Sequence, residues 1–113
     1  MPNVLVVGGS AVVQRMSRVL GVLGLRRMHT RSTRMAVALA RELPFHAVVL
    51  DLGAIPDSME GVVEALHQLQ PTALLVGVGE AVDASGLDVV VPLGARVPLW
   101  ARVLGVASAR RRG

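Results

Sequence analysis

The chain has 113 residues, 52% of them hydrophobic, with a formal net charge of +4, which is enough apolar material for one domain with a core. It holds no cysteine, excluding disulfides, thiolate metal sites and thiol nucleophiles, and His29, His46 and His67 lack the spacing of metal ligands. All twelve basic residues are arginine, so no side-chain amine is available for chemistry, and with only Phe45 and Trp100 as aromatics there is no stacking platform for single-stranded nucleic acid.

The N-terminus MPNVLVV has neither the charged start nor the cleavage site of a secretory signal, and no apolar run is long enough for a membrane span, so a cytoplasmic protein is expected. Asn3 to Val7 is a continuous apolar run, the pattern of a strand buried on both faces. Gly8, Gly9 and Ser10 follow as a tight turn in which Ser10 is placed to cap a helix with the stripe Val12, Val13, Met16, Val19, Leu20 and Leu23. The same turn has the makings of a backbone nest for an anion, but a plain turn is the simpler account. Gly21 and Gly24 weaken and stop that helix. Arg26 to Ser32 is polar and suits an edge strand, where charge discourages pairing with other chains. Arg26, Arg27, Arg31 and Arg34 form a candidate docking patch there, with a solvated edge as the alternative. A second helix is expected from about Thr33, on the stripe Ala36, Leu39, Ala40 and Leu43, ended by Pro44.

Phe45 to Gly53, FHAVVLDLG, organises the rest. It reads as a strand buried on both faces with Asp51 at its carboxyl end, the end where an open α/β sheet places ligands and chemistry. After a turn containing Pro56, Asp57 or Ser58 caps a third helix carrying Val62, Ala65, Leu66 and Leu69, and Pro71 ends it. Ala73 to Val78 and Leu87 to Val91 are two further buried strands; the short stretch between them holds a turn or two of helix at most, so a fourth helix is strongly shortened. The last helix starts near Pro98 and carries Trp100, Val103, Leu104 and Val106 toward Arg110, Arg111 and Arg112. This alternation implies a parallel sheet with helices on both faces and right-handed connections. One domain is expected over residues 1–109, with a basic tail at 110–113.

These segments resemble the receiver domain of bacterial response regulators. VLVVGGSAVVQRMSRVL is similar to the family's opening strand and arginine-bearing first helix. FHAVVLDL, with Pro56 and MEG at Met59 to Gly61, resembles its phosphoacceptor strand and following loop, and VVVPLGA at Val89 to Ala95 its last strand with a Lys-Pro pair. The resemblance covers essentially the whole chain. It implies an α/β, flavodoxin-like, doubly wound five-stranded parallel sheet of order 2-1-3-4-5. Residue by residue, it also implies losses. Gly8 and Gly9 stand where the family's acidic pair holds Mg²⁺, and Asp51 matches the phosphoacceptor. The switch hydroxyl falls on Gly77 or Val78 and the lysine on Val91, with Pro92 kept. The loop after Asp51 is longer than the family's usual one, which displaces Pro56 and Gly61.

Phosphoryl transfer to a carboxylate depends on cations that gather the transferring oxygens, and one aspartate alone holds Mg²⁺ poorly. The expectation is therefore a degenerate receiver, a pseudo-receiver, that is not an enzyme, takes no cofactor and no Mg²⁺, and works by protein contact. In receivers the fourth helix, fifth strand and fifth helix form the usual dimer and output face, and shortening one wall exposes apolar surface on the others. The candidate interaction surface is thus Trp100, Leu104 and Arg96, with Arg27 and Arg31 of the basic edge; for Trp100 the core is the competing place. The expected partner is another protein, a second copy included, with no membrane and with nucleic acid reached only through a partner or an output domain outside this sequence. Two alternatives stay open: a divergent phosphorelay receiver phosphorylated on Asp51, and a small nucleotide-binding domain suggested by VVGGS and RSTR, although G-x-G-x-x-G is absent.

Overall fold

The computed structural model describes the backbone of residues 3–53, 59–80 and 86–112 and the side chains of 3–53, 61–80 and 86–105. Its strands are β1 (Asn3–Val7), β2 (Arg26–Thr30), β3 (Ala47–Asp51), β4 (Leu74–Val78) and β5 (Val89–Val91). Its helices are α1 (Ser10–Leu23), α2 (Thr33–Glu42), α3 (Met59–Leu69) and α4 (Val97–Arg112). All strand pairs are parallel and the order is β2-β1-β3-β4-β5, the flavodoxin-like order expected from the sequence. Among the described residues no helix is long and apolar enough to cross a membrane.

Strand side chains alternate between two apolar layers. Val4, Val6, Val49, Val76, Val78 and Val91 pack with Met16, Val19 and Leu20 of α1 and Trp100 and Leu104 of α4. Leu5, Val7, Val48, Leu50 and Leu75 pack on the other face with Ala36 and Ala40 of α2, Val62 and Leu66 of α3, and Phe45. This explains why β1, β3 and β4 read as unbroken apolar runs: helices cover both sides of each.

Several boundaries differ from the sequence expectation, each for a local reason. Ser10 is the first helical residue and not the cap. Gly9 caps α1 in extended conformation with no side-chain cap bond of its own. Gly24 ends α1 with φ 69, a left-handed conformation in which a side chain is strained, and its N–H reaches the carbonyls of Leu20 and Gly21. α2 starts behind Ser32, whose Oγ accepts the Met35 N–H at 3.1 Å. It stops at Glu42 because Leu43, forced out of the helical region by Pro44, is extended at φ −129, ψ 142. β5 begins at Val89, not Leu87, because Asp88 takes over the ladder. Its N–H donates to Leu75 O at 2.9 Å and its carboxylate accepts the Leu75 N–H at 2.8 Å.

The proposed caps of α3, Asp57 and Ser58, and residues 81–85, where the shortened helix between β4 and β5 was expected, lie outside the described residues. α4 runs to Arg112, so the backbone of 110–112, the basic residues at the end of the sequence, is helical.

Among the described residues one polar side chain is buried between these layers. Gln70, 7% exposed, follows α3 and reaches back to the end of α2. Its Oε1 accepts the Phe45 N–H at 3.0 Å, and its Nε2 donates to Ala40 O at 2.8 Å and Leu43 O at 2.7 Å. It thereby satisfies terminal carbonyls of α2 that the helix itself leaves open and fixes where α2 hands over to the strand that ends at Asp51.

Candidate functional site

The carboxyl ends of β1, β3, β4 and β5 converge on Asp51. In register, Asp51 sits beside Val78 and Val78 beside Val91. Parity then decides between the two candidate switch positions. Val78 and Val91 belong to the same layer as Val49, two residues before Asp51, whereas Gly77 points to the opposite face. The residue beside Asp51 on its own face is Val78. Gly77 is instead filled in by neighbours, for a Cβ built there would lie 2.8 Å from Leu87 Cδ1 and 3.0 Å from Leu52 Cδ1. Val78 and Val91 are both 2% exposed, and the positions that would carry a hydroxyl and an amine are sealed apolar contacts.

Asp51 itself is tied down at both oxygens. Oδ2 accepts the Gly9 N–H at 3.1 Å and Oδ1 accepts the Gly53 N–H at 3.0 Å. The first bond places a carboxylate on the N-terminal amide of α1, where the helix dipole favours negative charge. The second closes an Asx turn that sends the chain out of β3. The turn between β1 and α1 is drawn in so closely that a Cβ on Gly8 would overlap Asp51 Cβ and lie 2.9 Å from Oδ2. Of the two glycine amides only that of Gly9 meets an anion, the carboxylate of Asp51, for the Gly8 N–H donates to Thr30 O.

Gly8 and Gly9 offer no side-chain oxygen, and each oxygen of Asp51 already accepts one backbone amide, so of the carboxylate ligands that Mg²⁺ takes only Asp51 stands at these positions. Among the described residues no group of three or more His, Cys, Asp or Glu side chains gathers. Arg15, on the adjoining helix, sends its Nη2 to Ala95 O at 2.6 Å and so ties α1 to the connection between β5 and α4. No sequence pattern marks that role, because it depends on packing between segments eighty residues apart.

The expected interaction surface is corrected in part. Trp100 is 0% and Leu104 4% exposed, and both sit in the layer between α4 and the sheet. The inward stripe of α4 is Trp100, Val103 and Leu104, at helical spacing, and the neighbouring position Leu99 falls outside it. The exposed apolar residues of this face are instead Leu99 at 42% and Leu93 at 41%, with exposed Arg96 between them in the chain. The phase of α4, counted from Trp100, was the signal available for Leu99. On the opposite edge Arg27 is exposed on β2, and exposed Arg31 donates to Ser10 Oγ at 3.3 Å.

No protein-family model matches the chain, and no curated protein matches its sequence. Solved structures do match its fold. A response regulator receiver domain protein (CheY-like) from Methanospirillum hungatei superposes with a TM-score of 0.82 at 14% identity, over 99% of this chain and 98% of the other. A response regulator from Burkholderia pseudomallei, solved with a phosphorylated aspartic acid, calcium ion and citrate, gives 0.77 at 24% identity, over 99% of this chain and 72% of its own. A putative pilus assembly protein (cpaE) from Burkholderia thailandensis gives 0.80 at 19% identity, over 96% of this chain and 99% of the other. The chain has the receiver fold.

Proposed function

We propose that this chain is a receiver-like protein interaction module of a bacterial signalling or regulatory system, working without a phosphorylation switch. The observation that carries this reading is the double tie of Asp51 to the Gly9 and Gly53 amides. A carboxylate already serving as helix cap and turn former has a structural task, and its neighbours Val78 and Val91 supply neither a hydroxyl to sense a phosphoryl group nor a cation to assist its transfer. In this reading the chain is no enzyme and needs no Mg²⁺. Its contacts run through the exposed face of Leu93, Arg96 and Leu99 and through the arginine edge at β2.

A second reading, a divergent phosphorelay receiver, is favoured by one observation. The Burkholderia pseudomallei neighbour carries a phosphorylated aspartic acid, and Asp51 keeps the strand-end position. Intact mass after incubation with Mg²⁺ and acetyl phosphate, with Asp51→Asn in parallel, separates the two. The interaction-module reading expects unmodified protein in both samples. A phosphoryl adduct present in the wild type and missing from Asp51→Asn would establish the second.

A further inference from the structure

The charges of this chain are segregated along its length. Every arginine before Ala95 lies within residues 1–41, a stretch with no acidic residue, and all eight acidic residues lie within 42–95. The fold gathers much of the basic stretch at one rim of the sheet. β2 pairs with β1 alone. Because Thr30 O accepts the Gly8 N–H, parallel alternation turns Arg26, Met28 and Thr30 toward β1 and points the N–H and C=O of Arg27 and His29 off the sheet. Arg26, Arg27 and His29 are exposed there.

Beside this rim runs an open groove of about 740 Å³, lined by the apolar Leu25, Met28, Leu43 and Pro44 together with Arg26, Arg27 and His29. At roughly 30 Å³ per water it has room for several side chains of a passing segment. Among the described residues no acidic one lines it.

We infer that the β2 edge is a docking site for an extended acidic segment of another protein. The segment adds as a further strand along Arg26–Thr30 and exchanges hydrogen bonds with Arg27 and His29. Because strand side chains alternate, it sets its carboxylates against Arg27 on one face and its apolar side chains over Met28 on the other, with Arg26 adding positive charge at the end of the row. Charge complementarity selects this occupant. The same arginines disfavour the identical edge of a second copy. The outward row alternates donors with acceptors, which matches a peptide backbone, whereas phosphate oxygens would face the carbonyls. This names a partner chemistry for the module proposed above and rests on that reading. Its test leaves Asp51 untouched, so failure here and failure of the phosphorylation-independent reading are told apart.

The probe is a short capped peptide of alternating aspartate and valine, followed by amide NMR of the intact chain. The expected result is saturable shifts over Arg26–Thr30 and Leu43, with slowed hydrogen exchange at the Arg27 and His29 amides. Arg26→Glu/Arg27→Glu is expected to weaken binding about tenfold. Arg26→Gln/Arg27→Gln, which removes charge without reversing it, gives a smaller loss and guards against a folding defect. The same peptide methylated at alternate backbone nitrogens keeps its charge but cannot pair as a strand, and is expected to give no protection. Equal binding of the methylated peptide, shifts centred on α1 and α4, equal protection by a DNA oligonucleotide, or protection on raising the chain's own concentration would each overturn the proposal.

Discussion

Gln70→Met is expected to lower stability by about 3 kcal/mol. Methionine has nearly the volume of glutamine, so the substitution leaves little cavity and isolates the polar contribution. What is lost is the acceptor for Phe45 N–H and the donor to Ala40 O and Leu43 O. Two of these bonds are buried, where a backbone group deprived of its partner costs about 1–3 kcal/mol. The bond to Leu43 is half-open to solvent and adds less. With a urea slope of roughly 1.5 kcal/mol per molar, the unfolding midpoint falls by about 2 M. A change below roughly 0.5 M would mean that water replaces the side chain and that Gln70 does not anchor the end of α2.

Gly8→Ala is the second substitution with a large expected effect, again about 3 kcal/mol. The added methyl group meets Asp51 Cβ, an atom fixed to the backbone of β3 rather than the free end of a flexible side chain. Relief therefore requires a shift of the β1–α1 turn or of β3, and either motion strains the bond from Gly9 N–H to Asp51 Oδ2. A double-mutant cycle makes the cause specific. Asp51→Gly removes the colliding atom, so Gly8→Ala/Asp51→Gly is expected to be less destabilised than the sum of the single changes by about 1–2 kcal/mol. Additive effects would place the strain elsewhere. The consequence is chemical as well as structural: no side chain, an acidic one included, fits at position 8 while Asp51 keeps its present place.

The architecture was legible because it rests on patterns that sequence carries locally. Continuous runs such as VLVV and AVVL fix strands covered on both faces, and helical stripes with Pro44, Pro71 and Gly24 fix where helices stop. The position of Asp51 at a strand end was legible for the same reason. What Asp51 does there was not, because its partners are backbone amides, one of them forty-two residues away in sequence, and an amide leaves no mark in a one-letter code. The choice between Gly77 and Val78 needed only the parity of β4 relative to β3, which an observed register supplies at once. Trp100 shows the limit from the other side. Its size marks it as either a core or a contact residue, and only the packing of α4 against Met16 and the sheet decides for the core. Ser10 missed the cap by one residue because Asp51, from another strand, bonds the Gly9 amide at the start of α1.

The central claim, that the Asp51 pocket is closed to the phosphorylation switch, is tested most directly by an amide NMR titration of the intact chain with Mg²⁺ and then beryllofluoride, with Asp51→Asn as the control. Beryllofluoride stands in for a phosphoryl group on the carboxylate. The resonances of Gly8, Gly9, Gly53, Val78 and Val91 are expected to stay where they are in wild type and control alike. Saturable shifts at those amides that vanish in Asp51→Asn would contradict it, for they would show Asp51 leaving Gly9 and Gly53 to take a ligand.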